Sequence, residues 1–369
     1  MAPGLLNRYL GPMRNNLPAL TALRGIAAWW VVAYHFREQL NLVRLPLLQT
    51  IVDHGYLAVD LFFIMSGFVI ALNYAHSLQR PSVWTVARFL GFRLARIYPL
   101  HLVILVVFIV NPLAIWSVSK AGLPGERYSF SYFVQSLFLI QNWGFNSGPA
   151  WNVPAWSIST EWGAYLTFPL LAQLLGQITG PTRLLGALTC TLVLVMGCGY
   201  LAGGLGENIG GAGLLRCLLE FALGAVVLRL YMLAAHRRQS ATIMFVSGLS
   251  ILTVGLLAGW PDYIFAPIAM LLVVIGLLDG RSLSARALSS SVLLYVGEIS
   301  YSTYLVHYFV KDWSKFLLVG NGLPPATAFT AYILVTAVAS AVLYHSIELP
   351  GRQLGREWVQ AWLARRRAV

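Results

Sequence analysis

The feature that most constrains this chain is a succession of uninterrupted apolar stretches. Each is close to the roughly 20 residues that a helix needs to cross a hydrocarbon core. Ten of them lie at approximately 19–36, 56–76, 97–119, 155–176, 184–203, 212–232, 241–258, 262–279, 292–311 and 327–347. Inside lipid every backbone polar group must be satisfied within the protein, and a helix does this segment by segment. The pattern therefore predicts an all-α integral membrane protein, a bundle of about ten transmembrane helices. Composition agrees. Of 369 residues, 58% are hydrophobic and only 10% charged, whereas a soluble domain carries about a quarter charged residues. A soluble enzyme, a disordered chain and a disulfide scaffold are excluded. Cys190, Cys198 and Cys217 sit in apolar segments without metal-ligand spacing and read as small packed hydrophobes. The apolar segment 131–142 is too short to cross and reads as re-entrant or interfacial.

The 25 Lys and Arg residues outnumber the 13 Asp and Glu, for a formal net charge of +12. Their placement makes this a topology signal. One set of loops holds Arg8 and Arg14, then Arg80, Arg88, Arg93 and Arg96, then Arg183, then Arg229, Arg237 and Arg238, and later Arg281, Arg286 and the run from Arg352 to Arg367. The alternate loops hold only Arg37, Arg44, Lys120, Arg127, Lys311 and Lys315. The positive-inside rule then predicts cytoplasmic termini and an even number of spans, and no nucleic-acid partner is needed to account for the charge. The first apolar run begins after Arg14 and contains Arg24 and His35, so no cleavable signal peptide is expected. With no repeat or low-complexity linker, residues 1–369 read as one transmembrane domain, its spans covering approximately 19–350, with no additional soluble domain. The loop 120–154 is the longest connection.

Ionisable residues inside spans carry the chemical information, because each costs at least ~2.5–3.5 kcal/mol at mid-membrane. Arg24 and His35 are eleven positions apart. They differ by roughly 20° around a helix and stand about 16 Å apart along it, on one face. Imidazole suits general-base work near neutral pH; a packed histidine and a snorkelling arginine give the same pattern. Asp60 opens the second span at a depth similar to His35 and is either its orienting carboxylate or a helix N-terminal acid. Glu161 enters from the same side, to hold or deprotonate an acceptor hydroxyl or to pair with Arg216. Arg88, Arg93 and Arg96 precede the third span and offer bidentate donors to a polyphosphate, or act as a topological anchor. Trp143, Trp151 and Trp156 give the outer loop either a sugar-stacking surface or an interfacial aromatic belt. The acids are too scattered for a metal cage, and no metal is expected.

Six blocks, in order, carry a resemblance that covers residues 20 to 350. Leu20-Thr-Ala-Leu-Arg-Gly-Ile-Ala-Ala followed by Tyr34-His35-Phe36 resembles the opening signature of the membrane acyltransferase-3 family, and Gly55-Tyr-Leu-Ala-Val-Asp-Leu-Phe-Phe-Ile-Met-Ser-Gly-Phe-Val-Ile70 resembles its second. Arg93-Leu-Ala-Arg96-Ile-Tyr-Pro99 is similar to the paired-arginine motif. Trp156-Ser-Ile-Ser-Thr-Glu161, Gly297-Glu-Ile-Ser-Tyr-Ser-Thr-Tyr-Leu-Val-His307 and Glu348-Leu-Pro350 are similar to later blocks.

The resemblance implies a membrane-bound O-acyltransferase of the bacterial cytoplasmic (inner) membrane. It would move an acyl group, commonly acetyl, from cytoplasmic acetyl-CoA or another acyl-CoA to a hydroxyl of a glycan or lipid-linked sugar. By motif the resemblance matches Arg24 and His35 to the family's essential arginine and histidine, and Arg93 and Arg96 to the paired arginines of the acyl-CoA end. With the reading from spacing, His35 becomes general base or transient acyl carrier, assisted by Asp60 and Glu161, and Arg88 joins the acyl-CoA end. Trp151, Trp156, Tyr301, Ser302 and His307 are assigned to the substrate. Where relatives carry paired acids, this chain has Glu161 followed by Trp162. A multi-span transporter or flippase using the buried Arg, Asp and Glu as a substrate or proton path is the competing reading.

Overall fold

A computed structural model describes residues 17–40, 42, 45–118, 125–234 and 238–367. Among these the chain is all-helical, without a strand. Arg8, Arg14, Arg44, Lys120 and Arg237 of the charge pattern lie outside the described residues.

The ten predicted stretches all fall on helical segments, two of them (97–119 and 292–311) divided between two α-helices. In chain order the long helices are α1 (Pro18–Phe36), α2 (Ala58–Leu78), α3 (Val83–Val107), α4 (Trp156–Gln177), α5 (Pro181–Ala202), α6 (Ile209–Ala234), α7 (Arg238–Leu257), α8 (Asp262–Gly276), α9 (Ser300–Leu317), α10 (Pro325–Leu343) and α11 (Leu349–Arg367). Six helical runs are long and apolar enough to cross a membrane: Pro46–Leu78, Val83–Ser117, Pro181–Ala202, Ile209–Met232, Ser240–Leu257 and Pro325–Arg366. A shorter apolar helix is Asp262–Gly276. The three predicted stretches left over are α1, α4 and α9. These carry Arg24, Glu161 and Lys311 with Asp312, so they fall short in apolarity for the same reason that they hold chemistry. Their neighbours, not their own side chains, shield them.

Three local features position the site. Ser82 caps α3 reciprocally with Thr85, its hydroxyl accepting from the Thr85 backbone N–H. The helix thus begins well before the apolar run and takes Arg88, Arg93 and Arg96 into its body. The predicted span 292–311 is broken: Ser291–Glu298 ends at Ile299, where φ −80° and ψ 0° tilt the chain before α9 starts. The chain after α10 passes through a π-helical turn, Tyr344–Glu348, before α11; such turns often mark functional positions. The helix Phe130–Leu137 has eight residues, a rise of about 12 Å, too short to cross.

Glycine lets the inner helices approach to backbone contact, as helix pairs in lipid commonly do. A Cβ at Gly224 of α6 would collide with the Ile64 carbonyl of α2 and come within 2.9 Å of the Phe68 nitrogen, and one at Gly67 would strike the Phe221 carbonyl. A Cβ at Gly25 of α1 would stand 2.7 Å from the Gly297 nitrogen. We expect Gly224→Val to cost about 1–3 kcal/mol through overpacking, read as a lower midpoint of unfolding in detergent. Gly186→Ala, which faces open space, should leave the midpoint unchanged or slightly raised.

Candidate active site

Helices α1, α2, α3, α4 and α9 enclose a cavity of about 170 Å³ lined by Arg24, Ser66, Arg93, Arg96, Glu161 and Tyr165, with Ser157, Ser300, Tyr301, Tyr304 and apolar groups such as Phe62 and Met65. Arg24 is held by the broken helix: its Nη2 donates to the Gly297 carbonyl at 3.2 Å and to Ser300 Oγ at 3.3 Å. The Gly25–Gly297 approach makes this reach possible.

Arg96 forms an ion pair with Glu348, which is itself buried. Ser302 Oγ donates to the other Glu348 oxygen at 2.7 Å. The Arg96 guanidinium also lies 5.4 Å from the Tyr301 ring centroid, and Tyr301 donates its hydroxyl to the Ile97 carbonyl at 2.6 Å. Arg93, one turn before Arg96 on α3, lines the same cavity. Its Nη2 donates to the Tyr74 hydroxyl at 3.1 Å, while its buried Nε has no hydrogen-bond partner. Glu161 accepts from Ser66 Oγ at 2.5 Å and from the Tyr165 hydroxyl, one helical turn on, at 2.6 Å. The cavity therefore combines three guanidinium groups with one carboxylate already engaged by hydroxyls. Such a set suits an anionic, partly apolar ligand.

Of the residues singled out in the sequence, Arg24, Arg93, Arg96, Glu161 and Tyr301 line this cavity, and Ser302 supports it through Glu348. Arg88 does not line it; it is exposed, with its guanidinium 5.3 Å from the Phe92 ring. Eight residues separate Arg88 from Arg96, about 80° of helical rotation and about 12 Å of rise, which divides the cluster. Asp60 does not pair with His35; it stands in the first turn of α2, the position of a helix N-terminal acid. Its Oδ1 lies 3.2 Å from Arg216 Nε in a fully buried pair, and α2 has no side-chain cap. Arg216 is thereby taken from Glu161, and Trp156 stacks 5.1 Å from the same guanidinium. Trp151 donates its Nε1–H to the Ser129 carbonyl at 2.9 Å, in a separate loop cluster.

His35 lies beside the cavity and not in its lining. Its ring packs 5.2 Å from His307 and 5.1 Å from Tyr308, centroid to centroid. His307 is fully buried, with Nδ1 3.2 Å from the Thr303 carbonyl and Nε2 without a partner. Tyr304 links this pair to the cavity: its ring is 5.9 Å from His307, and its hydroxyl is 2.9 Å from that of Ser157. Tyr165, Ser157, Ser300 and Tyr304 escaped sequence reasoning. The i, i+4 spacing of Glu161 and Tyr165 on one helix face was the one available signal.

The chain belongs to the acyltransferase-3 family: the family's acyltransferase domain matches residues 17–345. Among similar proteins, the acyltransferase MdmB of Streptomyces mycarofaciens is 30% identical over 90% of each chain. The O-acetyltransferase OatA of Staphylococcus aureus is 25% identical over 92% of this chain, which spans 58% of that protein's length. Protein 2 in the picA locus of Rhizobium radiobacter is 32% identical over 40% of this chain. No solved structure matches. The chain is an acyltransferase of the membrane, and neither fold nor relatives favour transport.

Asp60 and Arg216 do not themselves line the cavity, and their contribution to stability is read directly from unfolding. Arg216→Met should cost about 3–5 kcal/mol, because it leaves two buried carboxyl groups, Asp60 and Glu220, beside each other without their cation. Adding Asp60→Asn should return part of that loss in the same detergent unfolding measurement.

Proposed function

We propose that this protein is an O-acyltransferase that takes an acyl group, acetyl by preference, from acyl-CoA and places it on a hydroxyl of a glycan or lipid-linked sugar. The observation that carries this reading is the cavity, in which Arg24, Arg93 and Arg96 converge on a volume walled by apolar side chains and bordered by Glu161. The arginines suit the anionic donor, and the apolar walls suit its acyl and pantetheine portions. The relatives' names, an acyltransferase and an O-acetyltransferase, support oxygen as the acceptor atom.

In the direct version His35 removes the proton from the acceptor hydroxyl as its oxygen attacks the thioester carbonyl. The C–S bond breaks, and the leaving thiolate takes that proton back from His35. The O–H and C–S bonds are lost, and an ester and a thiol are formed. The offset of His35 from the lining favours a second version. There His35 first accepts the acyl group, releasing CoA, and then passes it to a hydroxyl that never meets CoA. Asp60, paired with Arg216, takes no direct part in either version.

The working arrangement is a single transmembrane unit of ten spans in the bacterial inner membrane, with both termini cytoplasmic. The alternation of arginine-rich and arginine-poor loops supports it. The test is transfer of radiolabel from acetyl-CoA, supplied to membranes, onto the glycan and lipid pools. Wild type should transfer and His35→Ala should lose transfer; label trapped on the wild-type protein but absent from His35→Ala would select the carrier version. Full activity of His35→Ala would remove His35 from both. Arg93→Gln should raise KM for acetyl-CoA about tenfold, the scale of one charge-assisted contact.

A further inference from the structure

Helix α11 is unexplained by the cavity, yet it packs along α3 in a defined antiparallel register. A Cβ on Gly351 would meet Pro99 at 2.7 Å, one on Gly355 would meet Ala95 at 2.6 Å, and one on Gly91 would meet Val359 at 2.8 Å. Three glycines thus bring the two backbones together, and Phe92, Val359 and Leu363 form a small apolar core of their own. In this register Arg352 stands beside Arg96, and its guanidinium feels both Arg96 and Glu348. One turn further out, Arg356 and Arg88 come from the two helices onto the same ring, 5.0 Å and 5.3 Å from the Phe92 centroid.

Among the described residues Arg88, Arg352 and Arg356 make no ion pair with any carboxylate, and α3 contains no acidic residue. Two like charges on one ring repel each other, and an arginine without a carboxylate keeps its forked donors available. Positive-inside topology accounts for arginines on one side of the membrane. It does not account for two of them converging on one aromatic ring, on a glycine-spaced helix pair that leads directly to Arg96. The Arg96 end of this array is in the cavity; the Arg88–Arg356 end is exposed on the protein surface.

We propose that Arg88 and Arg356, with Arg352 between them and Arg96, form a phosphate site that holds the nucleotide phosphates of acyl-CoA outside the cavity. The cavity then receives the rest of the donor. The proposal rests on the acyl-CoA reading above. In it the arginine cluster predicted from sequence is divided in two: Arg93 and Arg96 serve the cavity, and Arg88 serves a second site that α11 completes. Chemically the site fits any phosphate monoester or diphosphate, so an anionic lipid headgroup is the other possible source of ligand.

The test compares wild type with the Arg88→Gln/Arg356→Gln double variant in nanodiscs of phosphatidylcholine alone, measuring binding of CoA, 3′-dephospho-CoA and acetyl-pantetheine. Loss of two charge-assisted contacts should weaken CoA binding about tenfold or more. Acetyl-pantetheine, which lacks the nucleotide, should bind wild type and variant equally. An unchanged CoA affinity in a folded variant overturns the site while leaving the acyl-CoA reading intact. Wild type that binds neither CoA nor acetyl-pantetheine overturns the acyl-CoA reading and this site with it. A third comparison adds phosphatidylglycerol to the nanodiscs. Competition of that lipid with CoA at wild type but not at the variant supports a phosphate site. A variant that loses lipid enrichment and keeps its CoA affinity assigns the patch to headgroups and overturns the proposal.

Discussion

The ion pair between Arg96 and Glu348 is the interaction on which the site depends. It joins α3 to the π-helical turn before α11, and through Ser302 it reaches α9 as well. A guanidinium inside an apolar bundle is tolerable only with a partner, so the three elements are held in one arrangement by the cost of separating them. That arrangement keeps one face of α3 turned to the cavity, and it sets the start of α11, whose glycines then follow α3 outward. Arg24 is secured on the opposite wall by neutral acceptors, the Gly297 carbonyl and Ser300. It therefore keeps its full charge for a ligand, whereas the charge on Arg96 is largely matched by Glu348. Arg93, with an unpartnered Nε, lies between these extremes.

The buried charges sort into two functions by their partners. Arg216 lies between the Asp60 and Glu220 carboxyl groups outside the cavity lining, with Trp156 stacked on its guanidinium, so this charge is matched within the protein. Arg24, Arg93 and Glu161 are engaged by hydroxyls and carbonyls, which leaves their charges uncancelled. A low-dielectric wall strengthens whatever such groups do to a ligand. The histidine pair is a third case: His307 has one nitrogen near the Thr303 carbonyl and the other unpartnered, directly beside His35.

How far the site was legible in sequence depends on the range of the interaction concerned. The shared face of Arg24 and His35 follows from helical spacing, and so does the pairing of Glu161 with Tyr165. The start of α3 at Ser82 carried a legible signal, a serine followed three residues later by a side chain that can bond back, but the apolar run alone pointed fourteen residues too late. The partner of Asp60 was not legible, because Arg216 lies 156 positions away and its choice between Asp60 and Glu161 depends on how α6 packs on α2 and α4. The separation of Arg88 from Arg93 and Arg96 required knowing which side of α3 faces the cavity. Six helical runs meet the apolarity needed to cross a membrane, while α1, α4 and α9 are too polar to be recognised by that measure, since their polar groups are turned inward.

The sequence by itself determined that this chain is helical and membrane-embedded, because apolar length and backbone hydrogen bonding leave no other solution in lipid. Its ordered motifs also identified the acyltransferase-3 family. Only the tertiary structure decided which charges neutralise each other and which remain for chemistry. Ion pairing is set by distances of a few ångströms between residues far apart in the chain, and those distances arise from glycine contacts, a break at Ile299 and a π-helical turn at Glu348. The same packing placed α11 along α3, turning a basic tail in the sequence into one wall of a phosphate-sized cluster.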